Sequence, residues 1–233
     1  MEPRNRPDAA RDRSRPVTSG AGDEPSTADR AVAHVRDAII DGTFPAESML
    51  SEADLAARLG VSRTPIRVAL ARLQDEGWVR IYPKRGALVR GLSAEEATDL
   101  ADARVVLESS GIALATTEAR ARLAEELAPV LAEQRAAFAA GDIGRFVDLT
   151  IAFHRAFLHA GTNRYLIDLG DRLADRQRWV LFTNRATLLE RSDHIIDEHH
   201  QLLDCLRDDD PARFTEVLRA HVIDHADRHL GVA

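Results

Sequence analysis

A single cysteine among 233 residues, Cys205, rules out an intramolecular disulfide framework and any cysteine-based zinc site. Its position in an apolar helical pattern points to an inert core thiol. Long hydrophobic runs are missing too. No stretch approaches the roughly 18 uncharged apolar residues that a membrane span needs, and the start, Met1-Glu2-Pro3-Arg4-Asn5, lacks the apolar block of a signal peptide. A cytoplasmic chain with no membrane partner is the expectation. The sequence also has no His-Glu-x-x-His helix, no nucleophile elbow and no glycine-rich phosphate loop, so an enzyme reading has no catalytic motif to rest on.

What is present is charge, unevenly spread over a chain that is 45% hydrophobic and carries a net −7. Residues 1–25 hold five basic and five acidic side chains, residues 26–91 ten and eight, and residues 92–233 sixteen and twenty-five. A polyanion-binding surface must therefore be local to the middle segment, and the acidic remainder must meet something else. Residues 1–25 are rich in Arg, Pro, Asp, Ser and Gly, with too little apolar surface to offset the entropy of ordering. They are expected to be a disordered tail, whose deletion should change the stability measured by thermal melting by no more than about 0.5 kcal/mol.

From Ala28, Val32, Val35, Ile39 and Ile40 recur at helical spacing and stop at Asp41-Gly42. Ser51 followed by Asp54 opens a short second helix ending at Leu59-Gly60, and Ser62 caps a third running to Glu76-Gly77. Trp78 to Tyr82, a Pro83-Lys84-Arg85-Gly86 turn, and Ala87 to Arg90 then read as a β-hairpin. Helix, short helix, tight turn, helix and hairpin is the order of a winged helix-turn-helix. Ser62, Arg63, Thr64 and Arg67 sit at the mouth of the third helix, where hydroxyls hold phosphates and arginine forks onto a guanine edge. Val61, Ile66, Leu70 and Leu73 form its inward face, with Leu55 and Leu59 opposite. Lys84 and Arg85, before Gly86, give the wing a cationic tip.

After Ser93 the signal is helical throughout, with six helices expected at 93–115, 118–140, 142–160, 163–188, 192–207 and 211–230. The fold class is thus mainly α: a winged helix-turn-helix domain over 26–91, then an all-α six-helix bundle over 92–233. His154 in Phe153-His154-Arg155-Ala156-Phe157, with His199 and His221 on the last two long helices, places one imidazole on each of three helices. Such a set suits zinc, nickel or a similar divalent ion when a fourth ligand or water completes the shell.

The run from Leu50-Ser51-Glu52 through Val61-Ser62-Arg63-Thr64-Pro65-Ile66-Arg67 to Leu70 resembles the recognition segment of the GntR superfamily, specifically its FadR-like branch with an FCD effector domain. The resemblance spans residues 28–231. It implies a homodimeric regulator, a repressor by preference, reading a palindromic operator in double-stranded DNA. Base contacts fall to Arg63 and Arg67, and backbone contacts to Ser62, Thr64 and the wing. Ala53 stands where the family usually has a DNA-contacting arginine, a loss of about 1–3 kcal/mol. The resemblance also implies that His154, His199 and His221 are metal ligands, and that a fourth, a carboxylate, belongs where this chain has Thr150. Asp148, six residues from His154 and about 240° around the helix, cannot replace it. His225 and His229 are read as outer-face residues.

Arg104 is a position the family often turns toward its effector. It is read either as a fork for a small-molecule carboxylate or as a salt bridge to Glu108 one turn on. Trp179 and Phe182 are read as core or interface. Two other functions stay open: the same regulator with a metal-free pocket for an acyl or other apolar ligand, and, more remotely, a helical-bundle metalloenzyme on the three histidines.

Overall fold

The computed structural model describes the backbone of residues 24–229 and the side chains of 24–223 other than 186, 187 and 189. Most of the expected tail, and the faces assigned to His225 and His229, therefore lie outside the described residues. Among those described, no helix is long and apolar enough to cross a membrane.

The N-terminal part holds α1 (Thr27–Ile40), β1 (Met49–Leu50), α2 (Glu52–Leu59), α3 (Arg63–Asp75), β2 (Val79–Tyr82) and β3 (Gly86–Val89). Helix α1 starts at a reciprocal capping box between Ser26 and Asp29, and α2 at Ser51, whose hydroxyl accepts from the amides of Ala53 and Asp54. Ser62 occupies the N-cap position of α3, but its hydroxyl makes no capping hydrogen bond. The capping assigned to it from sequence is thus not made, and the hydroxyl stays exposed. Strands β2 and β3 pair antiparallel in register Val79↔Val89 to Tyr82↔Gly86, and β1 joins the far edge of β3. At two residues β1 is too short to leave an alternation in the sequence. Ile39, Ile66, Leu70, Leu73, Trp78, Val79 and Val89 fill the core between helices and sheet. Each fully buried Leu or Ile contributes about 1.5–3 kcal/mol.

The C-terminal part is α4 (Ala94–Leu114), α5 (Thr117–Ala139), α6 (Ile143–Ala160), α7 (Arg164–Thr183), α8 (Arg185–Arg207) and α9 (Pro211–His229). The expected break near Ser192 is displaced. The chain turns at Asn184, whose amide bonds back to the Val180 carbonyl, while Ser192 is small, buried and carried inside α8. Helix α6 lies between α4, α5 and α7, and α9 packs on α4 and α8. Cys205 is buried among Leu202, Leu206 and Phe214, and burial pushes its thiol pKa up, as suits an inert core residue.

Helices α4 and α6 cross at Gly111, where an added Cβ would overlap the Phe157 carbonyl and crowd the Leu158 Cα. Gly111→Ala must force the two helices apart, and a loss of about 1–3 kcal/mol in urea unfolding is expected. Unchanged stability would show that the crossing is looser than this geometry requires.

Candidate DNA-reading and effector sites

Ser62, Arg63, Thr64 and Arg67 all lie exposed on the first turn and a half of α3, while Ile66, Ala69 and Leu70 point into the core. Pro65 sits in the first turn, where its missing N–H leaves no helix bond unmade. The Arg67 Nε donates to Glu52 Oε2 at 2.7 Å. That contact engages Nε and not the two Nη groups, the fork suited to a guanine edge. Lys84 and Arg85 are exposed at the wing tip. Lys84 takes the left-handed backbone (φ 65°) at the third position of a turn closed by Arg85 N–H to the Tyr82 carbonyl at 3.0 Å. Gly86 is half-buried, and a Cβ there would run into the Leu50 carbonyl. Its part is steric, letting β3 pass close to β1. Ala53 is half-buried at the start of α2.

In the C-terminal part the structure brings His154 of α6, His199 of α8 and His221 of α9 together, all buried, each offering one ring nitrogen within 4.8 Å of the other two. His200 is exposed. Each Nδ1 has a defined outer partner: Glu108 Oε2 at 2.7 Å for His154, Gln134 Oε1 at 3.0 Å for His199, and Glu198 Oε2 at 2.8 Å for His221. Oxygen acceptors of this kind fix Nδ1 as the protonated nitrogen and leave Nε2 with its lone pair. The Nε2 atoms of His154 and His221 then face each other at 3.2 Å, with their rings stacked at 5.2 Å. Phe153 lies flat on His199 at 4.4 Å between centroids, and Phe157 packs edge-on to His154. Burial depresses the pKa of His154 against the opposing pull of Glu108, and burial, reinforced by the neighbouring His154, depresses that of His221. Glu108 is itself buried, yet its pKa is lowered because His154 and Arg104 together outweigh the desolvation.

Thr150 sits one turn before His154, but its hydroxyl donates to the Phe146 carbonyl at 2.9 Å and meets the Gln134 amide at 3.5 Å. Asp148 points away to an ion pair with Arg178 at 2.9 Å. Arg104 makes the salt bridge to Glu108 that one of its two readings expects. Its Nε bonds Glu108 at 3.0 Å, and the residue lines a cavity beside His154 and His221.

Sequence reasoning missed the outer partners. Glu108 entered only as Arg104's neighbour, and Glu198, next to His199 in the chain, in fact serves His221. Gln134 lies 65 residues from His199 and left no local signal.

Helix α7 connects the two sites. Gln177, Val180 and Leu181, within about 100° of one another on the helix, line the cavity. On roughly the opposite side Trp179 is buried in the N-terminal core and Asp175 pairs with Arg36 at 3.3 Å, while on the flank next to Val180 Arg176 lies over the Trp78 ring at 3.7 Å and donates to the Glu76 carbonyl at 2.8 Å.

Residues 27–89 match the bacterial regulatory proteins of the gntR family, and residues 99–224 match the FCD domain. The chain is 31% identical over 188 residues to the Nta operon transcriptional regulator of Aminobacter aminovorans, an alignment covering 78% of this chain and 85% of that one. It is 28% identical over 189 residues to the gluconate operon transcriptional repressor of Bacillus licheniformis, with 79% and 77% covered. Among solved structures, a GntR transcriptional regulator from Rhodococcus sp. RHA1 superposes with a TM-score of 0.73 at 26% identity, covering 88% of this chain and 98% of that one. These relatives are regulators of transcription and not enzymes. The chain belongs to the GntR family of transcriptional regulators, in the FadR-like branch whose C-terminal part is an FCD domain.

Proposed function

We propose that this protein is a cytoplasmic, homodimeric repressor that holds a palindromic operator through its 26–91 domain and releases it when a small carboxylate enters the 92–233 domain. Arg63 and Arg67 read base edges, while Ser62, Thr64, Lys84 and Arg85 grip the backbone. His154, His199 and His221 hold a divalent ion, zinc or nickel. The observation that carries the metal is the approach of the His154 and His221 Nε2 atoms to 3.2 Å, which with both Nδ1 atoms protonated would set lone pair against lone pair and is close to the spacing of two imidazoles on one ion at about 2.0–2.1 Å each. Such an ion supplies a Lewis acid for an effector carboxylate. With Thr150 neutral, the charge of the cation is balanced from the outer partners, Glu108 and Glu198.

The commitment of the Thr150 hydroxyl to Phe146 favours one second reading, in which the pocket is metal-free and the histidines act as hydrogen-bond donors through Nε2, which requires a second proton on the ring. Metal analysis of the purified protein separates the two readings.

Control runs through α7. A ligand moves an equilibrium only by what it distinguishes between two states, and α7 alone supplies both a wall of the cavity and a buried tryptophan of the DNA-reading core. The test is a titration of the protein first with zinc and then with candidate acids while operator affinity is followed. In the wild type the acid is expected to weaken operator binding by about 5–150-fold, a coupling of about 1–3 kcal/mol. In Trp179→Ala the acid should still bind, but most of that coupling should vanish. Full coupling in the variant would shift the signal to α4, which follows the wing directly.

A further inference from the structure

The two ends of α3 have different surroundings. Its first turns hold Arg63 and Arg67 out in solvent, whereas its other end, at the C-cap Glu76 and the following Gly77, is covered by three guanidinium groups. Arg176 of α7 donates from Nη2 to the Glu76 carbonyl at 2.8 Å, Arg36 of α1 pairs with the Glu76 carboxylate at 2.7 Å, and Arg90, just after β3, reaches the Gly77 carbonyl at 3.5 Å. The last carbonyls of a helix lack partners within it and carry the negative end of its dipole, so cations suit them. Gly77, at φ 78°, leaves the room they need: a Cβ there would stand 3.2 Å from the Arg176 guanidinium and 3.4 Å from that of Arg90. Of the three, Arg176 comes from the effector domain. Burial, with Arg90 beside it, depresses its pKa against the pull of Glu96, Glu76 and Asp175, so this is a costly place for a cation.

The other flanks of α7 are fastened to α6. A Cβ on Gly170 would run into Leu158, and Asp171 and Arg178 pair with Arg155 and Asp148 of α6 at 2.6 and 2.9 Å. Helix α6 carries His154, and Arg176 stands one turn before Val180 of the cavity wall. Trp179 makes the two domains adhere, but an apolar contact has no preferred direction, whereas an N–H to a carbonyl has one. Since α3 shares a core with α1 and the sheet, the angle set at its end passes to the whole DNA-reading domain. The helix has 13 residues and is about 20 Å long. A tilt of about 10° at its C-terminal end moves its N-terminal end by about 3.5 Å, close to the ~3.4 Å step from one base pair to the next.

Resting on the reading of this chain as a dimer on a palindromic operator, we infer that Arg176 is a positioning residue for α3 and fixes the half-site spacing that the dimer accepts. Without that fork each domain keeps its own base contacts but takes up a range of tilts, and neighbouring spacings become nearly equivalent.

The test uses the full-length protein without effector and three palindromic DNAs: the protected operator, and the same half-sites moved one base pair closer together or further apart. A single half-site is the control. By fluorescence anisotropy the wild type is expected to lose about tenfold or more at either altered spacing, the worth of one base contact. Arg176→Met keeps an aliphatic stem over Trp78 but no donor. It should bind the half-site like the wild type, bind the protected operator more weakly, and hold all three palindromes within about threefold of one another. Arg176→Lys puts one ammonium in place of the fork and should give a profile between the two. If Arg176→Met keeps the wild-type spacing profile, or loses as much affinity for the half-site as for the palindromes, Arg176 only supports the fold of its neighbours, and the inference is overturned while the dimeric reading stands. If the wild type itself is indifferent to spacing, the reading of a palindrome by a dimer fails and the inference falls with it. Where circular dichroism shows that Arg176→Met does not fold, Arg176→Lys decides, and a wild-type profile from it overturns the inference.

Discussion

Arg63→Ala and Arg67→Ala are each expected to abolish specific operator binding while leaving the helical content and the dimer unchanged. Both side chains are exposed on the face of α3 that turns away from the core, so neither truncation opens a cavity. Exposed substitutions of this kind cost within about 0.5 kcal/mol of stability. A bidentate base contact is worth about 1–3 kcal/mol. In the proposed dimer the contact would be made in both half-sites, so the doubled loss of about 2–6 kcal/mol is roughly 30-fold to 10⁴-fold in affinity. Arg67 should show the larger effect, because its tie to Glu52 orders the side chain before DNA arrives and lowers the entropy of ordering it on binding. Fluorescence anisotropy with a protected intergenic fragment measures the affinity, and circular dichroism the fold. Footprints like the wild type from both variants would remove α3 as the reading element.

His199→Ala is expected to lose stoichiometric metal and with it the effector response, while basal operator binding persists. Its ring is fully buried between Phe153 and the Gln134 amide, so truncation also leaves a cavity and a drop in stability of about 2–4 kcal/mol. The decisive measurement is therefore the shift in melting temperature on adding zinc. A ligand at a thousand times its Kd adds about 4 kcal/mol to the native state, and that increment should be present in the wild type and missing in the variant. Thr150→Asp should behave in the opposite way. A carboxylate buried one turn before His154 lacks a cation in the metal-free protein and destabilises it, but the same carboxylate tightens zinc binding and restores the stability when the ion arrives. If His199→Ala keeps both its metal and its full response, the metal-centred sensor is wrong.

The DNA-reading half was the more legible in sequence because its signals are local. Ser51, Gly60, Gly77 and the Pro83–Gly86 turn each mark a boundary within a few residues, and the inward face of α3 repeats at helical spacing. The effector half was legible as helices and as three histidines. What surrounds the histidines was not, since Glu108, Gln134 and Glu198 reach them across 46, 65 and 23 residues through packing that no short window records. The break at Asn184 was hidden for a different reason. Asn184 ends α7 with its own side chain, where a Gly or Pro would have been visible in the pattern, and the polar Ser192 that seemed to mark the break is buried instead.

The double duty of α7 bears on how this family can be recombined. A chimera that joins this 26–91 segment to a foreign effector domain at the natural linker would bring in a different α7. It would then lack the indole that completes the core around Trp78, the guanidinium that covers that ring, and the second of the two carboxylates that pair with Arg36. Such a hybrid would bind DNA with a looser reading head and answer its new ligand weakly, however well each half folded in its parent. Grafting Asp175, Arg176 and Trp179 onto the incoming helix at their own spacing is the minimal repair, so the workable cut between modules runs through α7 and not only through the linker before α4.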